Sequence, residues 1–374
     1  MKQFYYVLLF FAFFACNESS DVADSGKGNG GQESIPPGQI TAGEWNDLKN
    51  WEFWNNLIGN SEFSRMPDYW AFNLNNRISV NIKNQNGENL VNIPIQLLTS
   101  DNQILWESKS DNLGNAEFWP FLRNGAQINL SGIKLKINDQ YFPQVLSSNE
   151  GINQITLATA PAASSKSIEI AYVVDATGSM GDELEYLKVE LNDVIARVKQ
   201  KNVGISIRTG SVFYRDINDA YVTRKIDFST DISQTVNFIS QQKAAGGGDF
   251  PESVHTALNV AVNQLQWTAS TTSKIIFLIL DAPPHYEPQI ISEIHELIYT
   301  ASQKGIRIIP ITASGIDKET EFLMRYFSIS TNGTYVFITG DSGIGEEHLK
   351  PSVGEYQVEF LNDLMVRLIN NWVK

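Results

Sequence analysis

Apolar and polar positions follow two different patterns along this chain. Between residues 77 and 157, apolar residues alternate with polar ones in short runs such as Ile78-Ser-Val-Asn-Ile82, which is typical of half-buried strands. Turn signals such as Asn86-Gly87 separate these runs and favour hairpins. From residue 167 onward, continuous apolar runs alternate with helical stripes instead. The pattern therefore predicts an antiparallel β-sandwich followed by a doubly wound α/β domain.

The second pattern extends over residues 167–374 and allows individual elements to be predicted. Apolar runs predict buried strands at residues 168–175, 203–213, 221–228, 274–280, 306–311 and 335–338, with 221–228 at an edge and 335–338 as the last strand. Helical spacing predicts helices around 184–198, from Pro251 to about Gln266, and from 358 to 373 as the closing element. Strands that alternate with helices in this way are typical of a parallel sheet covered on both faces.

The first 15 residues are predicted to be a lipoprotein signal peptide. Residues 4–15 form an unbroken apolar run that is too short to span a bilayer as a helix but fits a signal-peptide core. The run ends at Cys16, the only cysteine in the chain, and the segment resembles a bacterial lipobox, in which this cysteine is lipidated. An ordinary signal peptide with a chance cysteine is the alternative. A single cysteine excludes an intrachain disulfide and a thiolate metal cluster.

Two segments separate the signal peptide from the predicted sandwich. Residues 16–40 are rich in Ser, Gly, Asp, Glu and Pro and predict a disordered tether. Its early acidic residues resemble surface-export signals of Bacteroidetes lipoproteins, although a solvated spacer explains them equally well. Residues 41–76 contain an aromatic cluster that could form a sugar-binding platform, but we expect it to pack against a neighbouring domain. An Ala/Ser/Pro linker at 158–166 then precedes the α/β domain.

The overall charge narrows the class of partner. The chain has 374 residues, which suffices for two domains, and its formal net charge is −14. Such an acidic surface repels phosphates and argues against nucleic acid as a partner. It suits an exported protein.

Oxygen-bearing side chains follow two of the predicted buried strands. Asp175 ends the first of these strands, with Thr177 and Ser179 on the following turn, and Asp281 follows the run at 274–280. In open α/β sheets, ligands bind beyond the carboxyl ends of the strands. Carboxylate and hydroxyl oxygens are ligands of hard cations such as Mg²⁺. The sequence therefore predicts a cation site at this edge of the sheet.

The motif Asp175-x-Thr177-x-Ser179 resembles the D-x-[S/T]-x-S motif of von Willebrand factor type A domains, a resemblance that covers residues 167–374. In that family, a metal-ion-dependent adhesion site takes its ligands from this motif and two further loops. The resemblance implies Mg²⁺, or Mn²⁺ or Ca²⁺, held by Asp175, Thr177, Ser179 and Asp281. It also implies one open coordination position for a carboxylate of a protein partner.

The middle loop departs from the commonest family pattern, in which threonine follows a glycine pair. Here Asp249 follows the glycines in Gly246-Gly-Gly-Asp-Phe-Pro-Glu252. A third direct carboxylate would make the site anionic and weaken its attraction for an acidic ligand. Asp249 is therefore expected close to the ion, binding through water. Glu252 is expected in the first turn of the following helix, where the macrodipole favours an acid whether or not a metal is bound.

Two other functions remain open at this point. Asp175-Ala-Thr-Gly-Ser179 also resembles the phosphorylation loop of haloacid-dehalogenase-type phosphatases, with Asp341 as that family's later acid. That alternative lacks a second acid near Asp341 and leaves the glycine-rich loop unexplained. A structural lipoprotein with a purely stabilising metal is the other alternative. The favoured hypothesis is a non-enzymatic lipoprotein of the bacterial cell envelope, lipid-anchored at Cys16 in the outer membrane, which binds a protein partner through the metal.

Overall fold

The structure is a computed structural model that describes residues 35–60, 62–122, 129–158 and 166–373. The predicted signal peptide, Cys16 and most of the predicted tether and linker lie outside these ranges. The prediction of a disordered tether is wrong for residues 38–40, because their N–H groups donate to the Glu190 carboxylate and Ile40 is fully buried. From residue 35 onward the chain forms one compact unit. None of the helices in the described ranges is long and apolar enough to cross a membrane.

The N-terminal region is rich in β-structure. Its strands are β1 (Thr41–Trp45), β2 (Ile78–Asn84), β3 (Pro94–Leu98), β4 (Ile104–Lys109), β5 (Asn115–Phe118), β6 (Lys134–Ile137), β7 (Gln140–Phe142) and β8 (Ile152–Leu157), and two helices, α1 (Trp51–Asn60) and α2 (Met66–Tyr69), follow β1. Strands β4, β3, β6 and β7 form an antiparallel sheet. A second sheet has the order β5-β2-β8, in which β2 pairs antiparallel with β5 and parallel with β8. The predicted antiparallel β-rich region is confirmed, with this one parallel pair as an exception.

The C-terminal region alternates strands and helices. Its strands are β9 (Ser167–Asp175), β10 (Ser206–Tyr214), β11 (Thr223–Ser229), β12 (Ser273–Leu280), β13 (Ile306–Thr312), β14 (Tyr335–Ile338) and β15 (Glu359–Phe360). Its helices are α3 (Gly181–Lys201), α4 (Ile232–Ser240), α5 (Val254–Asn259), α6 (Pro288–Lys304), α7 (Lys318–Ser330) and α8 (Leu361–Val373). The strands join one sheet with the order β11-β10-β9-β12-β13-β14-β1-β15.

The central strands are parallel and buried on both faces. Strands β10, β9, β12, β13 and β14 pair in parallel, whereas β11 is an antiparallel edge strand. Ala171 and Val173 of β9 face the core that contains α6 and α7, and Ile170, Tyr172 and Val174 face the core that contains α3 and α8. Continuous apolar runs are stable only when both faces are covered in this way. The predicted doubly wound α/β domain is therefore confirmed.

The N-terminal segment completes the large sheet. Strand β1 pairs antiparallel with β14, with Ala42 opposite Ile338, and β15 pairs with the other edge of β1. The prediction that residues 335–338 form the last strand is therefore wrong. A two-residue strand such as β15 has no periodic pattern of its own, and its partner lies some 300 residues away in the chain, so no local signal reveals this pairing.

Two predicted helix starts also need correction. The helix predicted from Pro251 begins at Val254, after a loop in which the Glu252 N–H donates to the Pro283 carbonyl over 2.9 Å. This helix ends in a π-helical turn at Val260–Gln264. The closing helix begins at Leu361 instead of residue 358, because residues 359–360 pair with β1.

The aromatic segment packs inward, as expected. Trp54, Trp70 and Phe72 are each at most 3% exposed. Phe72 stacks on Tyr326 of α7 with 3.5 Å between ring centroids, and Trp54 stacks on Phe322 at 5.8 Å. The packing interpretation of residues 41–76 is therefore confirmed for these rings, which lie close to the aromatic side chains of α7.

A buried ion pair joins the segment after β1 to α7. The Asp47 carboxylate accepts hydrogen bonds from Arg325 Nη2 at 2.6 Å and Nε at 3.0 Å, and both side chains are fully buried. Trp45 Nε1 donates to the same carboxylate at 2.9 Å, and Arg325 Nη1 donates to the Ser352 carbonyl at 2.7 Å. The pair thus connects three distant parts of the chain. Glu321 Oε1, also fully buried, lies 3.5 Å from Arg325 Nη1 as a second, more distant counterion.

We expect Asp47→Ala to lower the free energy of unfolding by about 2–3 kcal/mol, because the buried Arg325 guanidinium would lose two charge-assisted hydrogen bonds and keep only the longer contact with Glu321. Denaturant unfolding followed by circular dichroism measures this loss. The matched control is Glu185→Ala, which breaks a surface ion pair with Lys188 and should cost at most about 1 kcal/mol. Similar losses in the two variants would contradict the structural role of Asp47.

Candidate metal site

The candidate site lies at the carboxyl ends of two adjacent parallel strands. Strands β9 and β12 pair directly, with Val174 opposite Ile279. Asp175 is the last residue of β9, and Asp281 follows the last residue of β12. Their side chains are 0% and 5% exposed. The sheet therefore places two carboxylates next to each other in a buried position, as the sequence predicted.

The turn after β9 is organised by the Asp175 carboxylate. Its Oδ1 atom accepts hydrogen bonds from the Thr177 N–H at 2.8 Å and the Thr177 hydroxyl at 2.7 Å. Thr177 Oγ1 lies 3.2 Å from Ser179 Oγ. Because the Thr177 hydroxyl uses its proton on Asp175, its oxygen lone pairs remain available to a cation. The turn continues directly into α3, so the backbone of Ser179 is held at the start of a long helix.

A pocket of about 200 Å³ opens onto these groups. Ser179, Asp249, Glu252 and Asp281 line it, together with Glu346 from the loop after β14. Ser179 and Asp249 are exposed, whereas Asp281 and Glu252 lie at the base with at most 5% exposure. The pocket thus has buried carboxylates below and an accessible hydroxyl and carboxylate at its rim.

Glycines allow the middle loop to approach the turn closely. The Gly178 N–H donates to the Gly246 carbonyl at 3.0 Å, and a Cβ on Gly178 would lie 2.9 Å from that oxygen. Gly247 has a positive φ of 73°, and a Cβ there would lie 2.9 Å from Glu252 Oε1 and 3.1 Å from Thr177 Cβ. Larger residues would force the loop away from the turn, so the glycines bring Glu252 against the site.

Glu252 corrects the expectation drawn from the sequence. It was expected in the first turn of a helix, but it precedes α5 and its N-cap residue Ser253. An isolated parallel bridge pairs Glu252 with Pro284, in the loop after β12. Its side chain is 2% exposed and faces the site, so a helix macrodipole does not explain this carboxylate. The local pattern Asp-Phe-Pro-Glu could not distinguish a loop from a helix start.

Three buried carboxyl oxygens at the site have no hydrogen-bond partner. They are Asp175 Oδ2, Asp281 Oδ1 and Glu252 Oε2. Unpartnered buried carboxylate oxygens are costly, so this donor set fits a cation that would contact them. In the described ranges, no group of three or more His, Cys, Asp or Glu side chains is arranged to hold a metal ion by itself. A cation here would therefore also need the hydroxyls of Thr177 and Ser179 and water.

The pKa values reflect the same crowding of negative charge. Burial and then the neighbouring Asp281 raise the pKa of Asp175 to about 7, against the effect of the Thr177 hydrogen bonds. Burial, followed by the charges of Asp175, Asp216, Asp281 and Asp219, raises the pKa of Glu252 to about 9. Burial also raises the pKa of Asp281. Without a positive charge, the folded protein therefore favours protonated carboxyl groups at this site.

Asp341, the second acid of the phosphatase alternative, lies elsewhere. It occupies a short 3₁₀ turn after β14 and is exposed. Strand β14 is separated from β9 by β12 and β13, which corresponds to about 14 Å between strand axes. The fold does not bring Asp341 to Asp175.

A second polar cluster next to the site was not recognised from the sequence. Asp216 Oδ1 accepts hydrogen bonds from Ser253 Oγ at 3.0 Å and His285 Nε2 at 2.8 Å. The carboxylate, not the imidazole, lies between the other two groups, so His285 is not placed to take a proton from Ser253. Asp219 Oδ2 accepts from the backbone N–H groups of Asp216 and Gly247. These acids position the loops around the pocket.

Part of the chain matches a known family of domains. The family model of the von Willebrand factor A domain matches residues 169–343. The ariadne-like RING finger protein R811 of Acanthamoeba polyphaga mimivirus is 36% identical over 120 residues, which are 32% of this chain and 11% of that protein. The alpha-protein kinase vwkA of Dictyostelium discoideum is 28% identical over 133 residues, which are 35% of this chain and 21% of that protein. The crystal structure of conserved hypothetical protein BatB from Bacteroides thetaiotaomicron covers 55% of this chain and 98% of its own, with a TM-score of 0.38 and 14% identity.

We expect the metal-free protein to lose stability as the pH rises from about 4 to about 7. In this window Asp175 is protonated in the folded state but ionised in the unfolded state, because its pKa rises from 3.8 to about 7 on folding. Asp175→Asn removes this ionisation and should therefore raise the melting temperature at about pH 8 in chelator. Thermal melts across this pH range check the prediction.

The control for this experiment is Asp341→Asn, which changes the same charge at an exposed position outside the site. It should leave the pH dependence of the wild type unchanged. If Asp175→Asn melts at a lower temperature than the wild type at both ends of the pH range, charge crowding does not govern the metal-free site.

Proposed function

Residues 169–343 form a von Willebrand factor A domain, and we propose that this domain binds a protein partner through a Mg²⁺-dependent site. Asp175, Thr177, Ser179 and Asp281 would hold the ion, with Glu252 at its base and Asp249 contacting it through water. Mn²⁺ or Ca²⁺ could take the same place, since both accept oxygen ligands. A protein partner is in keeping with the domain type, which commonly mediates protein–protein interaction.

The observation that carries this proposal is the set of unpartnered oxygens of Asp175, Asp281 and Glu252. Hydrogen bonds from the protein satisfy the other oxygen of Asp175, so the turn is already built around a carboxylate that keeps one oxygen free. Such an arrangement costs stability unless a cation is bound. Binding of a cation is therefore the simplest explanation for these costly unpartnered oxygens.

The charges of these residues favour an anionic partner group. Two ionised carboxylates, from Asp175 and Asp281, balance one divalent ion, and the hydroxyls of Thr177 and Ser179 add no charge. When bound, the ion would supply an electrophilic centre that attracts an oxygen ligand. Glu252 can stay protonated beside it, since its pKa is raised to about 9. A carboxylate of the partner would then meet a site without excess negative charge at its base.

The accessible rim fits binding of another macromolecule. Ser179 and Asp249 are exposed at the pocket mouth, and Phe250, beside Asp249, is 45% exposed. An exposed aromatic ring next to an ion site gives a partner apolar surface to cover. The pocket of about 200 Å³ is small for a metabolite of ordinary size but sufficient for one side chain of a partner.

The cellular location belongs to the same proposal. We propose that a lipid on Cys16 anchors the protein in the bacterial cell envelope. The apolar run at residues 4–15 and the single cysteine directly after it support this location. A lipid anchor would hold the domain near the membrane.

We expect millimolar Mg²⁺ to raise the melting temperature of the full-length protein at neutral pH. A ligand that binds only the folded state at 100 times its dissociation constant stabilises by about 2.7 kcal/mol. Asp175→Asn should abolish the shift, whereas Asp341→Asn should keep it. An unchanged melting curve of the wild type with Mg²⁺ and Mn²⁺ would rule out the metal site.

Partner binding provides the functional readout of the same site. Envelope proteins captured on the immobilised protein should be released by chelator and recaptured after Mg²⁺ is restored. Ser179→Ala should lose this capture without unfolding, because Ser179 is exposed. A metal-dependent rise in melting temperature without any chelator-sensitive capture would favour the purely stabilising metal instead.

We expect Cys16→Ser to move the protein from the membrane fraction to the soluble fraction, because the acylated thiol would be missing. Fractionation of cells followed by immunoblotting measures the distribution. The control variant Ser19→Ala, three residues further along the chain, should remain with the membranes. If Cys16→Ser still sediments with membranes after a salt wash, the protein is not anchored through this residue.

A further inference from the structure

A second cavity lies far from the candidate metal site, between the N-terminal β-rich region and the large sheet. Its volume is about 630 Å³, within the range of small-molecule sites. Ser79 of β2 and Ile152 of β8, in the N-terminal β-rich region, line one wall of the cavity. Thr334 and Trp372, in the C-terminal region, line the other. Thr334 directly precedes β14. The cleft therefore lies at the amino ends of the parallel strands, whereas the metal site lies at their carboxyl ends.

Two tryptophans contribute to the walls of this cleft. Trp51 of α1 and Trp372 of α8 both line it and are partly exposed. The Arg77 guanidinium lies 4.8 Å from the centroid of the Trp51 ring, and that of Arg307 lies 4.3 Å from the Trp372 ring. These contacts hold the rings in place. Pre-positioned aromatic rings offer flat apolar surfaces against which the C–H face of a ligand can stack.

Most of the charged groups that line the cleft already have partners in the protein. Arg77 Nε and Nη2 donate to the two oxygens of Glu117 at 2.8 and 2.9 Å. Glu44 accepts from Arg367 at 2.8 Å and from the Thr334 hydroxyl at 2.9 Å. Asp111 also lines the cleft, and it accepts from the N–H groups of Leu113 and Asn115 at 2.8 Å and from Asn332 Nδ2 at 3.1 Å. Lys49 is the remaining charged lining residue, and it is exposed to solvent. An ionic ligand would therefore find no buried, unpaired counterion in the cleft, so a neutral ligand fits better.

The remaining polar groups are amides and hydroxyls. Asn46, Asn112, Asn115 and Asn371 line the cleft. Asn112 Nδ2 donates to the Asn371 carbonyl at 2.7 Å, but Asn112 Oδ1 is buried and has no partner. A buried acceptor without a donor is costly unless a ligand or water supplies one. Ligand hydroxyl groups are suitable donors.

From these features we infer that the cleft binds a neutral saccharide. Aromatic faces, amide side chains and buried charges that already have partners in the protein form the combination that an uncharged, polyhydroxylated ring requires. The site is independent of the proposed metal site, since it shares no lining residue with it. The protein would then bind one ligand at the carboxyl ends of its parallel strands and a different kind of ligand at their amino ends.

The test uses the full-length protein and a panel of neutral oligosaccharides that covers glucose, mannose, galactose and N-acetylglucosamine trimers with different linkages. Isothermal calorimetry and intrinsic tryptophan fluorescence measure binding in the presence of chelator. We expect saturable binding of at least one member with an altered tryptophan emission, because Trp51 and Trp372 line the cleft. Chelator should have no effect.

Two substitutions at exposed isoleucines test whether the saccharide binds in this cleft. Ile152→Arg places a long charged side chain in the cleft, and Ile152 is 52% exposed, so the protein should still fold. It should weaken saccharide binding by about tenfold or more. Ile104→Arg makes the same change at a residue that is 41% exposed and does not line the cleft, and it should bind as the wild type does. No binding by any panel member at millimolar concentration, or equal binding by both variants, would overturn the inference.

Discussion

Ionising two neighbouring carboxylates in a buried position costs free energy unless a positive charge lies nearby. Asp175 and Asp281 are in this situation because β9 and β12 are neighbours in the sheet. The turn to α3, the glycine-rich loop and Glu252 are all arranged around this pair. The raised pKa values and the unpartnered oxygens are two consequences of the same crowding. A bound cation would relieve both, which supports the proposal of a metal at this site.

The large sheet of the α/β domain includes a strand from the N-terminal part of the chain. Strand β1, from the aromatic segment, covers the edge of β14, and the Asp47–Arg325 pair fixes the following residues against α7. Without β1, the backbone groups of β14 on that side would be unpaired, and exposed sheet edges promote aggregation. The N-terminal segment is thus a structural part of the sheet, and the α/β region alone would lack it.

The carboxyl and amino ends of the parallel strands are lined by different kinds of side chain. At the carboxyl ends of the parallel strands, short loops bring carboxylates and hydroxyls together, as is typical of ligand sites in open α/β sheets. At the amino ends, the N-terminal β-rich region adds a second wall and creates a cleft lined by aromatic rings and amides. Under the two proposals, the carboxyl ends would take a cation and an anionic partner group, and the amino ends would take a neutral ligand.

The sequence by itself determined the α/β order, the buried central strands and the cluster of Asp175, Thr177, Ser179 and Asp281. Each of these depends on residues that are close together in the chain or on the rule that parallel strands end at one edge. Strand β14 was predicted with its observed bounds because all four residues are apolar and buried. The proposed role of these residues at a metal remains a prediction.

Only the tertiary structure decided the role of Glu252, the pairing of β1 with β14, and the cleft. The sequence around Glu252 is compatible both with the start of a helix and with a loop before one. The bridge to Pro284 places Glu252 in the site. The pairing of β1 and the cleft walls join residues some 300 positions apart. Such contacts are stabilised by packing between distant segments, which leaves no periodic signal in either segment alone.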